Sequence, residues 1–453
     1  MPSFGIRSGC KCNARNLNVG KESAFPGYDA GRSFRFETLT FNKIGTASYT
    51  MKSSKNIAII GGGPSGLMAA EIIATAGHQV TIYDAMPTMG RKFLLAGKGG
   101  LNLTHSEPLE KLITRYFEAS TWLAPCIEAY DPQKLRKWCE ELGEETFIGT
   151  SGRVFPRSMK TSPLLRAWLK RLDHLGVHYR PRHSWQGFDG NDLIFSDADK
   201  KIIKITAEAT LLALGGASWP HLGSNGSWVD IVSKCGVKIS KLRPSNCGFV
   251  SNWSDYLITK FAGTPLKSVT VKHKNVSRKG EMIITKQGIE GNAVYALSAD
   301  LRETIKREGE AVLYIDFRPE MSASDLAKKL QNRDKKSLSN YLRKAGFPPV
   351  ASVLLNELIP SNQLVEATSD ALAGYLKNLP ITLTSTTDIA RAISTAGGIS
   401  SESLDEKFML KAKSGVFAAG EMLDWEAPTG GYLLQGCFST AVAAAKGILD
   451  FVK

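Results

Sequence analysis

Cysteine is sparse in this 453-residue chain, where Cys10, Cys12, Cys126, Cys139, Cys235, Cys247 and Cys437 make an odd and scattered set of seven. Such a set excludes a disulfide framework as the basis of the fold and fits a reducing, cytoplasmic compartment. Cys10 and Cys12 are close enough to offer two metal ligands, but no matching Cys/His pair follows them, so unpaired thiols and no metal site are expected. A long apolar run is also missing. The most apolar stretch, residues 56–77, is interrupted by GGGPSG, whereas a bilayer span takes about 20 predominantly apolar residues. No membrane span is expected. Repeats and low-complexity tracts are lacking too, which removes solenoid architectures.

What is present reads as an ordinary globular protein, 43% hydrophobic and 22% charged, long enough for two or three domains. Lysine and arginine exceed the acids by 57 to 43, a formal charge of +14. That excess suits an anionic ligand, a nucleic acid or an acidic surface equally well. Residues 1–54 differ from the rest, with eight basic residues against three acids and no convincing period. A basic targeting extension is one reading. The acids Glu22, Asp29 and Glu37 favour a disordered extension, or a start set too early with Met51 the true one.

The organised chain begins at Lys55. NIAII (56–60) is a short β-branched run bounded by glycine and reads as a buried parallel strand. From Leu67 the pattern turns helical, with Leu67, Ala70 and Ala74 on one face and Gly77 at the C-cap. QVTIYD (79–84) then alternates as a second strand ending on an acid. In that setting Gly61, Gly63 and Gly66 fit G-x-G-x-x-G: a tight turn, a close approach for a pyrophosphate, and close packing of helix on strand. The helix N-terminus adds free N–H groups and a partial positive charge. Asp84, 23 residues after Gly61, is placed to accept hydrogen bonds from a ribose diol and disfavours a 2′-phosphate.

A second glycine-rich stretch, GRKFLLAGKGGLNLTH (90–105), follows at once. With the pyrophosphate already assigned, its glycines read as room for the rest of a longer dinucleotide, which points to FAD, and Arg91 and Lys92 as charge and donors. Further along, TLLALGG (210–216) and GVFAAGE (415–421) read as strands ending in glycine. PTGGYLLQG (428–436) opens an Ala-rich helix over 433–449, whose N-terminus can face a flavin ring.

The blocks AGKGGLNLTHSEP (96–108), SGRVFPRSMK (151–160), ALGGASWPHLGS (213–224), TAGGI (395–399) and AGEMLDWEAPTGGYLL (419–434) resemble the bacterial BaiN-type, aminoacetone-oxidase-like family of FAD-dependent oxidoreductases. The likeness runs from 56 to 453. It implies an α/β fold: a Rossmann-type FAD-binding domain of the two-dinucleotide-binding superfamily, with an inserted β-barrel and helical subdomain. The domains expected are 55–239 and 391–453 for FAD, 240–320 for the β insert and 321–390 for the helical insert. The resemblance further implies that Gly61, Gly63, Pro64, Ser65 and Gly66 hold the pyrophosphate and Asp84 the adenosine ribose. Arg91, Lys92, Gly97, Gly99 and Asn102 would line the flavin-side path, with Gly215 and Gly216 beside the dinucleotide. Gly420, Glu421, Gly430, Gly431 and Tyr432 would close over the ribityl chain and ring. One departure is GIEGN (288–292), where many relatives carry GISGP.

The expected function is oxidation or reduction of a small organic substrate, with the flavin reduced either by NAD(P)H or by the substrate. Only one dinucleotide fingerprint is present, so NAD(P)H would be a transient co-substrate. No catalytic acid or base is identified, and no oligomeric state is implied. His105 and His221 are read as structural histidines, and Trp219 and Trp425 as packing residues. Residues 325–346 carry seven basic residues against two acids, read as a solvated helix face. The same segment feeds the rival reading, an RNA-modifying flavoprotein, in which Lys335, Lys336 and Arg343 bind phosphates with Tyr341 the nearest aromatic. A flavin-binding protein without turnover is the third reading.

Overall fold

The computed structural model describes residues 54–97, 99–331 and 337–453. The basic extension up to Ser53, with Cys10, Cys12 and Met51, lies outside the described residues, as do Lys98, Lys335 and Lys336.

β1 (Asn56–Ile60) leads through the glycine turn into α1 (Pro64–Thr75), and β2 (Gln79–Asp84) follows. Proline suits the first turn of α1, where its missing N–H would have no partner. Both strands lie in a five-stranded parallel sheet completed by β3 (His178–Pro181), β4 (Ala209–Leu212) and β5 (Val416–Ala418), in the order β5-β4-β1-β2-β3. The register sets Ile57 against Ala209 on one side and Val80 on the other, with both ends of the chain feeding one sheet. Central strands are apolar throughout because both faces are covered: Ile57, Ile59, Leu211 and Leu212 are fully buried. Each such side chain contributes about 1.5–3 kcal/mol of burial free energy.

α2 (Arg91–Ala96) follows β2, and α3 (Tyr432–Phe451) packs on β4 and β5 of this sheet. α3 is the one helix among the described residues long and apolar enough to cross a membrane. It packs on α1, and Phe438, Ala441, Ala444, Ala445 and Ile448 are fully buried, so its apolarity serves the core. α1 is also tied from outside, since the Glu71 carboxylate accepts from the indoles of Trp138 (3.0 Å) and Trp168 (2.7 Å) and from Arg171 (2.9 Å).

A second hydrophobic core, from Cys247 to Ala392, belongs to the segment inserted between β4 and β5. Its antiparallel sheet runs Leu379–Leu383, Ala311–Asp316, Pro265–His273, Val276–Ile284, Gly288–Glu290, Phe249–Val250 and Ser385–Thr386. The first and last of these are separated only by Thr384, whose N–H donates to Val250 O (3.0 Å). The chain thus carries the sheet round into a small barrel. Barrel strands come from both 240–320 and 321–390, and one core serves both, because the helices of the later segment cover the barrel. We propose 240–390 as one insert carrying both textures. The GIEGN departure has a local account, in that the Asn292 side-chain oxygen accepts from Glu281 N–H (2.7 Å) where the strand turns into a short helix.

Candidate functional site

The turn between β1 and α1 is built so that glycine is required inside it and room is left outside it. Gly61 sits at φ +110°, and a Cβ there would lie 2.3 Å from Ala213 O. A Cβ on Gly63 would meet nothing within 4 Å. The Ser65 and Gly66 amides belong to the first turn of α1, where N–H groups lack intrahelical carbonyls. Asp84, at the end of β2, straps this turn: one carboxylate oxygen accepts from Gly62 N–H and the other from Met86 N–H, both at 2.7 Å. Burial pushes the Asp84 carboxyl above its usual range, against the two N–H donors and the charge of Arg91.

The turn opens on a cleft whose walls come from the glycine turn, the end of β2, α2 and the segment after β4. Of the residues expected at a cofactor, Gly61, Gly63, Pro64, Ser65, Asp84, Arg91, Lys92, Gly215 and Glu421 line it. Lys92 crosses it to donate to Glu421 (2.6 Å) and Ser218 (2.7 Å). Glu421 also accepts from Thr395 N–H (3.0 Å) and Gly216 N–H (3.4 Å). The buried Arg91 Nε has no partner among the described residues. A buried donor without an acceptor costs about 1–3 kcal/mol, so this wall of the cleft fits an anionic or polar ligand.

The other expected residues are not among those lining the cleft. Gly66 packs under the turn at Gly61 O, Gly216 against the Thr395 side chain, and Gly420 against Ser65. A Cβ on Gly97 would lie 1.9 Å from Thr161 Oγ1, and one on Gly431, at φ +98°, would lie 2.4 Å from the Thr104 backbone. Gly99 is open, with nothing within 4 Å, and Gly430 faces the Tyr432 ring. Asn102 has a buried side-chain oxygen, an acceptor, without a partner among the described residues, two residues before the short strand Thr104–His105.

Tyr432 starts α3 and donates from its hydroxyl to Glu107 (2.6 Å), which also takes a two-point ion pair from Arg115 (2.9 and 2.7 Å). Burial opposes the charge of Glu107, but Arg115 and Tyr432 outweigh it and hold the carboxyl below its usual range. His105 stacks on Tyr432 at 5.2 Å. Its Nδ1 accepts from Glu107 N–H and its Nε2 lies 3.1 Å from Ser151 O, which fixes a neutral ring with the proton on Nε2. Burial lowers its pKa. His105 is thus structural, as expected. His221 is not: it is exposed, makes no hydrogen bond among the described residues, and only its ring edge meets Trp219. Trp425 is 3% exposed and donates to Gly420 O (2.9 Å), a packing role. Tyr341 is buried at 6% exposure and donates to Leu330 O, so it offers no face for a base to stack on.

Sequence reading missed Trp228, which donates to Gly215 O (2.9 Å), and the cleft-lining His183, Trp185 and Ser224. Trp185 lies on, and His183 just before, the strand Ser184–Asp189 beyond β3, whose glycines Gly187 and Gly190 fall in an antiparallel hairpin and not in a nucleotide-type turn.

A parallel sheet whose first strand runs through a glycine turn into a helix, with the turn opening on a cleft, defines the class as Rossmann-type. The family model described as HI0933-like protein Rossmann domain matches residues 55–447. The chain belongs to that family, which is one of FAD-type flavoprotein oxidoreductases, and is an oxidoreductase. It is 26% identical over 426 residues to a 3-dehydro-bile acid delta(4,6)-reductase of Clostridium scindens, covering 87% of this chain and 99% of that one. It is 23% identical over 416 residues to a ribosomal RNA dihydrouridine synthase of Haemophilus influenzae, covering 87% and 98%. Among solved structures, a flavocytochrome c3 fumarate reductase in an open conformation gives a TM-score of 0.48 at 12% identity, covering 88% of this chain and 79% of that one.

Proposed function

We propose that this protein holds FAD along the cleft and reduces a carbon–carbon double bond of an organic substrate, with NAD(P)H as the reductant. The observation that carries the cofactor reading is the open edge at Gly63 beside the unpartnered Arg91 Nε. The Ser65 and Gly66 amides would take the pyrophosphate at the start of α1. Arg91 would supply charge-assisted donors, and Asp84, already bonded to two amides, would offer its remaining lone pairs to the ribose. Lys92 and Glu421 would meet the ribityl side of the dinucleotide. Gly99, Asn102, Gly430, Gly431 and Tyr432 would lie toward the ring. FAD, when bound, supplies the hydride chemistry; the chain's contribution is to bind it, orient it and keep water from it.

Support for reduction of a double bond comes from the two relatives, since a delta(4,6)-reductase and a dihydrouridine synthase are both named for adding hydrogen across one. A small organic substrate is the first reading. An RNA substrate is the second, favoured by the Haemophilus relative and by the +14 charge. The test is anaerobic: the purified yellow protein is titrated with NADH and NADPH, then offered conjugated enones or ribosomal RNA. Bleaching by a nicotinamide cofactor and recovery of colour with an enone are expected. A colourless protein that releases no FAD on denaturation would overturn the cofactor reading, and reoxidation by RNA alone would select the second substrate.

A further inference from the structure

The loop 424–431 leads directly into α3; Trp425 is held by Gly420 O on the FAD side, but Glu426, Ala427 and Thr429 are held by the insert. Arg302, on the helix Ser298–Glu308 of the insert, makes a two-point ion pair with Glu426 at 2.5 and 3.0 Å. The two side chains are 8% and 10% exposed. Glu426 also accepts from Ser245 Oγ (2.7 Å), and Arg302 donates to Pro244 O (2.9 Å). Beside them Asn246, 1% exposed, donates from its amide to Ala427 O (2.8 Å) and Ser394 Oγ (2.7 Å) and accepts from Thr429 N–H (3.0 Å). Asn246 sits at φ +52°, a left-handed conformation that asparagine tolerates better than most residues. One residue thereby joins the strand entering the insert, the strand leaving it and the loop before α3. Ser240 adds a bond to Asp424 (2.5 Å).

A buried ion pair is a poor device for stability alone, because well-packed apolar residues of similar volume often replace one without loss. It does fix geometry, since two parallel bonds between planar groups set both distance and orientation. Here Glu426, Ala427 and Thr429, which are fixed, lie within six residues of Tyr432, the start of α3. We propose that Arg302, Glu426 and Asn246 are positioning residues through which the insert sets the loop 424–431 and so determines how firmly FAD is held. This rests on the FAD reading above. The insert is then part of the cofactor grip, although its sequence carries no nucleotide motif.

The experiment compares Arg302→Met, Glu426→Met, the double variant and Asn246→Gly in the full chain, measuring apo-protein Tm and the FAD Kd by flavin fluorescence. Arg302→Met leaves Glu426 buried without its ion-pair partner, and Glu426→Met leaves buried Arg302 with only the half-exposed Glu303 (3.1 Å), so both singles lose Tm and FAD together. The double variant is expected to recover Tm while its FAD Kd stays at least tenfold above wild type. Recovery of both would show that the pair serves only folding and would overturn the proposal. Asn246→Gly keeps the left-handed backbone and both charges, and it too is expected to raise Kd at least tenfold. Wild-type Kd in Asn246→Gly would overturn the proposal even if the double variant failed to fold. A wild type that binds no FAD would instead overturn the cofactor reading beneath it.

Discussion

The two glycine-rich stretches, 61–66 and 90–105, look alike in composition and differ in what their glycines face. At the first, Gly61 is pressed on Ala213 O while Gly63 faces the cleft. At the second, Gly97 is packed on Thr161, and the strand that follows it meets Gly431 through the Thr104 backbone. The first stretch leaves open space at a glycine, and the second uses glycine mainly so that protein can touch protein. Glycine richness alone therefore says that something comes close; the strand-turn-helix setting says whether it is a cofactor.

Substitutions that add a Cβ can break this contrast. The largest effect is expected for Gly63→Val, which meets no protein atom but fills the cleft edge: flavin content should fall from near stoichiometric to undetectable, with circular dichroism and Tm close to wild type. Retention of flavin would mean that the first stretch does not face the cofactor. Next comes Gly431→Ala, which combines φ +98° with a backbone clash. It should cost about 3 kcal/mol or more in urea unfolding of the apo-protein, a loss independent of FAD. Gly97→Ala should cost about 1–3 kcal/mol through overpacking on Thr161, and Thr161→Ala in the same chain should restore part of it. If Gly97→Ala instead spared stability and weakened FAD binding, the second stretch would be ligand-facing after all.

How far the sequence could be read follows the same physics. The β1-α1-β2 unit, the strands at 210–212 and 416–418, and the helix from 432 were legible because each carries its own period and a glycine at its boundary. The turn residues were legible for the same reason, and Lys92 and Arg91 by their charge. The bond from Lys92 to Glu421 was not, because those residues are 329 apart in the chain and only the sheet order brings them together. Barrel closure at Thr384 was equally hidden, as was the clamp from Arg302 to Glu426. His221 was misjudged because a histidine next to a glycine block looks placed, whereas this one is simply exposed. Tyr341, the nearest aromatic to the basic residues, is buried in the core of the insert, which weakens the RNA reading further.

The smallest expected effect concerns His105, the last residue of the second stretch, and it sharpens the comparison by titration. In the folded chain His105 is neutral, with Nδ1 taken by Glu107 N–H and Nε2 facing Ser151 O, and burial lowers its pKa. The unfolded chain therefore binds the proton first as pH falls through about 6.5, the ordinary histidine value. Protons taken up by the unfolded state lower stability, so this residue contributes a loss on the acid side of neutrality and nothing above it. Urea midpoints at pH 7.5 and 5.5 should accordingly differ less in His105→Asn than in wild type, with FAD content similar at pH 7.5. An unchanged pH difference would show that His105 is already charged when folded, and would move it from the packed scaffold of the second stretch to the titrating groups of the site.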